Sequence, residues 1–165
     1  MNQQTFQITV FAHKDKLFRL AKRLLVSHDE AFDAVQNVFM KLWQMKDELH
    51  RYTNIEAFAM QSVKNECYNR LKHFEVVENH RIDVGNKPKS EVFAVDNTKE
   101  VILEMINSLP QKQKMVIHLK DVEEYEISEI AEIMEMEENA VRINLMRARQ
   151  KIKVQLEKLF EYEQR

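Results

Sequence analysis

The sequence predicts an all-α chain of two small helical domains joined by a flexible linker, and three observations carry that prediction. Glycine occurs once and proline twice in 165 residues, so the turn glycines that β-sandwiches and glycine-rich nucleotide folds require are missing. Apolar residues recur at steps of three and four through most of the chain. That periodicity lapses over residues 74–97, the stretch that holds Gly85 and Pro88. A structureless run of that length is uncommon inside one compact core and suits a tether, which places the domains at residues 5–73 and 98–165.

Three helices are expected in the first domain. Phe11, Leu17, Leu20, Ala21, Leu24 and Leu25 form the stripe of the first, which should stop near Ser27. Ser27-His28-Asp29-Glu30 has the S-x-x-E form of a capping box, in which the hydroxyl and the carboxylate each satisfy an orphan N–H at a helix start. The second helix carries Ala31, Ala34, Val35, Val38, Leu42 and Met45 on one side, and a polar stretch from Lys46 to Tyr52 follows it. Thr53-Asn54-Ile55-Glu56 repeats the box and opens a third helix that should run to about His73.

The second domain is helical again. Val101, Ile102, Met105 and Ile106 give a short helix, and Leu109-Pro110 punctuates, with proline suited to the first turn of the next. That next helix carries Met115, Val116 and Leu119, and a third holds Ile127, Ile130, Ala131 and Met134. The last and longest starts near Glu137, with Val141, Leu145, Ala148, Ile152, Leu156 and Leu159 in register.

Composition then narrows the function. The lone Cys67 cannot form an internal disulfide, no Cys/His group has zinc spacing, and no signal peptide or membrane-length apolar run is present, so a cytoplasmic protein is expected. Six histidines are scattered without a nucleophile or a matched carboxylate pair. Neither catalysis, a cofactor, a metal nor a small-molecule substrate is expected. The net charge of −2 hides a polarised distribution: residues 121–138 hold nine acids and no base, whereas residues 141–155 hold no acid.

On a wheel at 100° per residue, Val141, Leu145, Ala148 and Ile152 of the last helix share the core side. Asn139, Ile143, Met146 and Gln150 point the other way, flanked by Arg142, Arg149 and Lys153 on one side and by Arg147 and Lys151 on the other. A short helix, a brief turn and a longer basic helix make the layout of a helix-turn-helix, in which flanking cations meet phosphates and the central strip meets base edges. A solvated helix whose charges serve solubility is the plainer alternative; two outward apolar residues between basic flanks favour DNA. The second helix turns Asp33, Gln36, Asn37, Met40 and Gln44 outward, and exposed methionine often marks a protein contact. On the third, Gln61, Asn65, Tyr68 and Lys72 align beside Lys64, a mildly basic stripe with one ring able to stack on a base.

Asp33-Ala34-Val35-Gln36-Asn37-Val38-Phe39-Met40-Lys41-Leu42-Trp43 resembles the D-x-x-Q-x-x-F-x-x-x-W core of region 2 in the sigma-70 family of RNA polymerase sigma factors. Ala57-Phe58, Val63-Lys64-Asn65 and Asn69-Arg70-Leu71-Lys72 are similar to the next helix of that region. Leu109-Pro110 with Lys114, Glu129-Ile130-Ala131 and the run from Val141 to Arg149 resemble region 4, the helix-turn-helix. The order of these fragments is that of the extracytoplasmic-function (ECF) subfamily, and Val141-Arg142-Ile143-Asn144-Leu145 is most similar to iron-transport-type members from Bacteroidetes.

The resemblance implies a factor that directs core polymerase to promoters through −10 and −35 elements. It implies docking of Asp33, Gln36, Asn37 and Met40 on the β′ clamp coiled coil, with Lys46 to Asn54 capturing a flipped −10 base and Gln61, Lys64, Asn65, Tyr68 and Lys72 holding the melted strand. It assigns −35 reading to Asn139, Arg142, Ile143, Met146, Arg147 and Arg149, and a contact of region 4 with the β flap. An anti-sigma factor is a further partner the family admits. The chain departs from the pattern at Asn37, Phe58 and Asn69, and Glu135 stands where the helix-turn-helix usually has glycine, with Glu126 and Glu137 in place of small hydroxyl caps. A non-glycine residue in a left-handed turn and a poor N-cap each cost about 1 kcal/mol. Two other readings stay open: a stand-alone helix-turn-helix regulator, which gives the first domain no task, and a protein-binding helical adaptor that has lost DNA reading.

Overall fold

The computed structural model describes residues 1–80 and 98–165, and every regular element among them is helical. The first domain comprises α1 (Gln3–Thr9), a 3-10 turn (Phe11–His13), α2 (Lys14–Leu25), α3 (His28–Gln44), a second 3-10 turn (Lys46–Arg51) and α4 (Ile55–His80). The second comprises α5 (Thr98–Asn107), α6 (Gln111–Ile117), a π turn (His118–Val122), α7 (Ile127–Met134) and α8 (Glu138–Glu163). Residues 81–97, most of the expected tether, lie outside the described residues.

In the first domain α2, α3 and α4 pack on one another around Leu17, Leu20, Leu42, Leu49 and Met60, all essentially without exposure. The second builds its core from Met115, Leu119, Ile130, Ile133 and Val141 where α6 and α7 meet α8. Each such side chain contributes roughly 1.5–3 kcal/mol by leaving water. The domains also touch: α4 packs along α7, and α2 meets α6.

The local signals act much as the sequence implies, with instructive shifts. Ser27 caps α3 by accepting from the Glu30 N–H at 3.4 Å, but the Glu30 carboxylate turns to Arg70. The second box moves by one residue: Asn54, not Thr53, caps α4, its Oδ1 accepting from the Ala57 N–H at 3.0 Å, and Glu56 is left for contacts outside the helix. The first expected helix is preceded by α1 and a 3-10 turn; α1 is held by Phe6, whose ring meets Trp43 edge-on at 5.1 Å. Helix α4 runs on to His80, beyond the expected end near His73, because no glycine or proline intervenes before Gly85. Pro110 stands at the N-cap of α6, one place before the first turn. Glu126 is not the poor cap expected, since it closes a capping box in which Glu129 accepts from its N–H at 3.0 Å. Glu137 has no side-chain cap bond, and Glu135 takes the left-handed conformation with φ 55 and ψ 46.

Candidate polymerase and nucleic-acid interfaces

Helix α3 buries Ala31, Ala34, Val35, Val38 and Leu42 and so turns Asp33, Gln36 and Met40 to solvent, with Asn37 half-buried. Asp33 is tied down: its Oδ2 accepts from Arg70 at 2.8 Å, and Arg70 also donates to Glu30 and Glu66, each at 3.2 Å. Beside Gln36 lies an apolar hollow of about 360 Å³ lined by Phe11, Phe18, Phe32, Val35 and Phe39. This face offers a fixed carboxylate, an amide and exposed apolar surface together, the mixture that protein interfaces use. The sequence reading missed Arg70 as its organiser, although Glu66, one turn earlier on α4, was the available signal.

The stripe on α4 is unevenly accessible. Asn65 and Lys72 are exposed and Gln61 and Tyr68 half-buried, while Lys64 is only 3% exposed. The Lys64 ammonium donates to Glu135 of the second domain at 3.2 Å and lies 5.8 Å from the centre of the Tyr68 ring. The Tyr68 hydroxyl is buried without a hydrogen-bond partner, and burial pushes its pKa up to about 12. The segment from Lys46 to Asn54 begins with the 3-10 turn Lys46–Arg51, pinned by the fully buried Leu49. At its end the ring of Tyr52 stacks on Phe58 with centroids 3.8 Å apart, a half-open aromatic platform the sequence reading did not single out.

Basic residues of the first domain and acids of the second meet along the contact between them. Arg19 grips Glu123 with two bonds of 2.6 and 3.0 Å, and Arg23 donates to Asn107 at 2.9 Å and to His118 Nδ1 at 3.3 Å. The Tyr125 hydroxyl donates to Glu56 at 2.5 Å, while Lys16 binds the same carboxylate at 3.0 Å. Burial works against the charge of Glu123, but Arg19 and His118 outweigh it and hold its carboxyl at about 2. Glu56 is likewise held below the ordinary range against burial by Tyr125 and Lys16. Burial lowers the pKa of His118, which is fully enclosed.

Helix α8 follows the wheel. Val141, Leu145, Ala148 and Ile152 are buried, while Asn139, Arg142, Ile143, Met146, Arg147, Arg149 and Gln150 are exposed, Met146 at 65%. Its cations differ in partner. Arg142 reaches back one turn to Glu138 at 3.3 Å, Arg149 binds Asp121 with two bonds of 3.0 and 2.5 Å, and Arg147 has no ion pair among the described residues. The outward strip is open to a groove-sized ligand. No helix among the described residues is long and apolar enough to cross a membrane.

Residues 10–73 match the family model of sigma-70 region 2, and residues 99–152 that of sigma-70 region 4. The chain is 27% identical over 150 residues to the RNA polymerase sigma factor SigV of Bacillus subtilis (strain 168), which covers 88% of this chain and 87% of that one. It is 24% identical over 165 residues to the ECF RNA polymerase sigma-E factor of Escherichia coli (strain K12), covering 92% and 86%. Among solved structures it is similar to the sigma factor RpoE of Bartonella quintana in complex with the anti-sigma factor NepR, with a TM-score of 0.74, 21% identity and coverage of 93% and 98%. CnrH, solved with the cytosolic domain of CnrY, gives a TM-score of 0.67 at 19% identity, covering 95% and 90%.

Proposed function

We propose that this chain, an RNA polymerase sigma factor built from sigma-70 region 2 and region 4 domains and homologous to ECF sigma factors, grips core polymerase with α3, the melted −10 strand with α4 and the −35 duplex with α8. The observation that carries the −35 assignment is the open strip of Ile143 and Met146 between Arg142 and Arg147. A helix of that section fits the major groove, with apolar side chains against thymine methyl groups and cations on the phosphate walls. On α3, Asp33, Gln36, Asn37 and Met40 meet the β′ clamp. On α4, Gln61, Asn65, Tyr68 and Lys72 follow the strand once Lys64 is free, and Tyr52 on Phe58 gives a displaced base a surface to stack on. The region 4 groove lined by Ile102, Ile106, Ile117, Ile152 and Leu156 suits the β flap.

The factor works in the cytoplasm without catalysing a reaction. The run Val141 to Leu145 supports an iron-transport-type assignment within the subfamily. RpoE was solved with the anti-sigma factor NepR, which supports a partner of that kind here. The stand-alone regulator is set aside, because region 2 has a task in the sigma factor and none in the regulator. Run-off transcription with core polymerase tests the reading: scrambling the −35 element should cut output from an otherwise identical template. Equal output from both templates would leave α8 without a −35 role and return the adaptor reading.

A further inference from the structure

We propose that Glu138 is a specificity-determining residue of the −35 face: its carboxylate, held beside Arg142, selects a base pair that presents the amine of cytosine in the major groove. This rests on the reading of α8 as the −35 helix. Three observations carry it. First, Glu138 is the first residue of α8, the end at which recognition helices meet base edges, and its side chain is 49% exposed. It has no capping task there, because the N-cap is Glu137. Second, Glu138, Arg142 and Met146 stand at successive steps of four, so they form one row that climbs from the helix start onto the open apolar strip. Third, the carboxylate is only partly used. Its Oε2 accepts from Arg142 Nη2 at 3.3 Å, and Oε1 has no hydrogen bond among the described residues.

The chemistry of the groove names the base. A carboxylate only accepts, and cytosine is the base whose major-groove edge offers a donor, the N4 amine, with no acceptor beside it. Thymine would set its O4 against Oε1, guanine its O6 and N7, and adenine its N7, so each opposes one acceptor with another. The penalty against those bases selects as much as the bond to cytosine does. Arg142 carries the complementary code, a pair of donors for guanine O6 and N7. The four-residue step between them rises about 6 Å against about 3.4 Å per base pair, so the two side chains address pairs one or two steps apart. Their ion pair also explains how a recognition helix tolerates an acid, since Arg142 offsets the charge that would repel phosphates. From Val141 to Gln155 the helix carries no acid, so Glu138 is the last one before the basic face.

Holoenzyme assembled with the full chain, bound to promoter duplexes in which each −35 pair is set in turn to all four bases, provides the test. The native protein should prefer cytosine over thymine by about tenfold at one pair, one or two steps from the pair that Arg142→Ala relaxes. Glu138→Gln should move the preference at that pair to adenine, since a glutamine amide donates to N7 and accepts from N6. Glu138→Ala should bring all four bases there within about twofold. Glu137→Gln removes the same charge one residue earlier, and it should tighten binding to every sequence by one common factor that shrinks as salt is raised. If Glu138→Gln does no more than that, the acid only repels phosphate and the inference is overturned. A native complex without a cytosine preference beside the Arg142 pair overturns it as well. So does a Glu138→Ala variant that relaxes the Arg142 pair and no other, because Glu138 would then only support the arginine. Scrambling the whole −35 element in the native complex distinguishes these failures from that of the underlying reading. Binding that ignores the scrambling removes α8 as the −35 helix, and the inference falls with it; binding that responds to scrambling but not to the Glu138 substitutions removes the inference alone.

Discussion

On α4, Lys64 is buried against Glu135; on α8, Met146 and Arg147 stand in solvent, and Arg147 has no ion pair among the described residues. Both helices carry basic and polar side chains at helical spacing, so composition does not separate them. What separates them is what lies opposite. Glu123 and Glu135 reach buried contacts with region 2, whereas Asp121 and Glu138 pair with exposed arginines of α8, which from Val141 to Gln155 has no acid of its own. A buried cation paired with an acid of the other domain acts as a strut, whereas an exposed arginine stays reachable even when a surface acid pairs with it. The two faces therefore differ in availability before they differ in chemistry.

The harshest way to probe that comparison is to damage one half and watch the other. Leu20 in region 2 and Ile130 in region 4 have no exposure, and truncating either to Ala should cost about 2–5 kcal/mol. Trp43 is the sole tryptophan and reports on region 2 alone. In urea, Leu20→Ala should lower the Trp43 midpoint strongly, and Ile130→Ala should lower it by a smaller but measurable amount, because region 2 loses the surface that covers α4. A Trp43 transition that ignores Ile130→Ala would mean that the halves do not support each other.

Acid should weaken the contact between the halves while leaving α8 unaffected. Burial lowers the pKa of His118, with Arg23 and Arg19 nearby and Glu123 pulling the other way, so the enclosed neutral ring favours the closed form, and that advantage is lost as pH falls below about 6.5. Glu123 is depressed from 4.5 to about 2, so its contribution is complete above about 4.5 and disappears as pH falls through 2. Both signs agree. Fluorescent labels on the two domains should report increasing separation from pH 7 to pH 4; a distance that holds constant would show that neither group supports the contact.

Most of the helices and the whole α8 face were legible because their signals are local: periodicity places Val141, Leu145, Ala148 and Ile152 in the core and leaves Ile143 and Met146 outside. The burial of Lys64 was not legible. Its partner is 71 residues away, and a charge run at 121–138 looks the same whether it faces water or arginines. Helix α1 escaped because a single buried side chain, Phe6, makes no periodic pattern. Tyr52 escaped for a similar reason, since its stacking on Phe58 joins a turn to a helix. Glu135 was visible as a departure from pattern and was weighed as a cost to the turn; its backbone is as strained as expected, but its carboxylate has a partner.

Within the open face, the two flanking arginines should do unequal work. Arg142 sits one turn from the start of α8, where recognition helices meet base edges, and Glu138 holds it in place. Arg142→Ala should cost roughly 1–3 kcal/mol of discrimination at one −35 base pair. Arg147, unrestrained and farther along, should grip phosphate: its loss should weaken all sequences alike and reduce the salt slope of holoenzyme binding by about one. Titrations on wild-type and singly substituted −35 duplexes at several salt concentrations distinguish the two. The opposite assignment would show that the ion pair with Glu138 removes Arg142 from base reading.

The smallest effect is expected at Asp33, and it separates an ion pair that organises a docking face from one that holds the molecule together. Asp33 accepts from the half-buried Arg70 at 2.8 Å and Glu135 from the buried Lys64 at 3.2 Å, and both acids are more than half exposed. They differ in what their removal leaves behind. Without Glu135, Lys64 has no other ion-pair partner among the described residues; without Asp33, Arg70 keeps Glu30 and Glu66. A cation that retains two partners suffers little desolvation penalty, and an exposed pair is worth only about 0.2–1 kcal/mol. Asp33→Ala with Gln36→Ala should therefore shift stability by no more than about 0.5 kcal/mol, while affinity for core polymerase falls clearly because the fixed carboxylate and the amide beside the aromatic hollow are gone. Urea denaturation and a core-binding titration on the same preparation supply both numbers. A stability loss above about 2 kcal/mol would make Asp33 part of the scaffold, and unchanged core affinity would move the docking face elsewhere on α3.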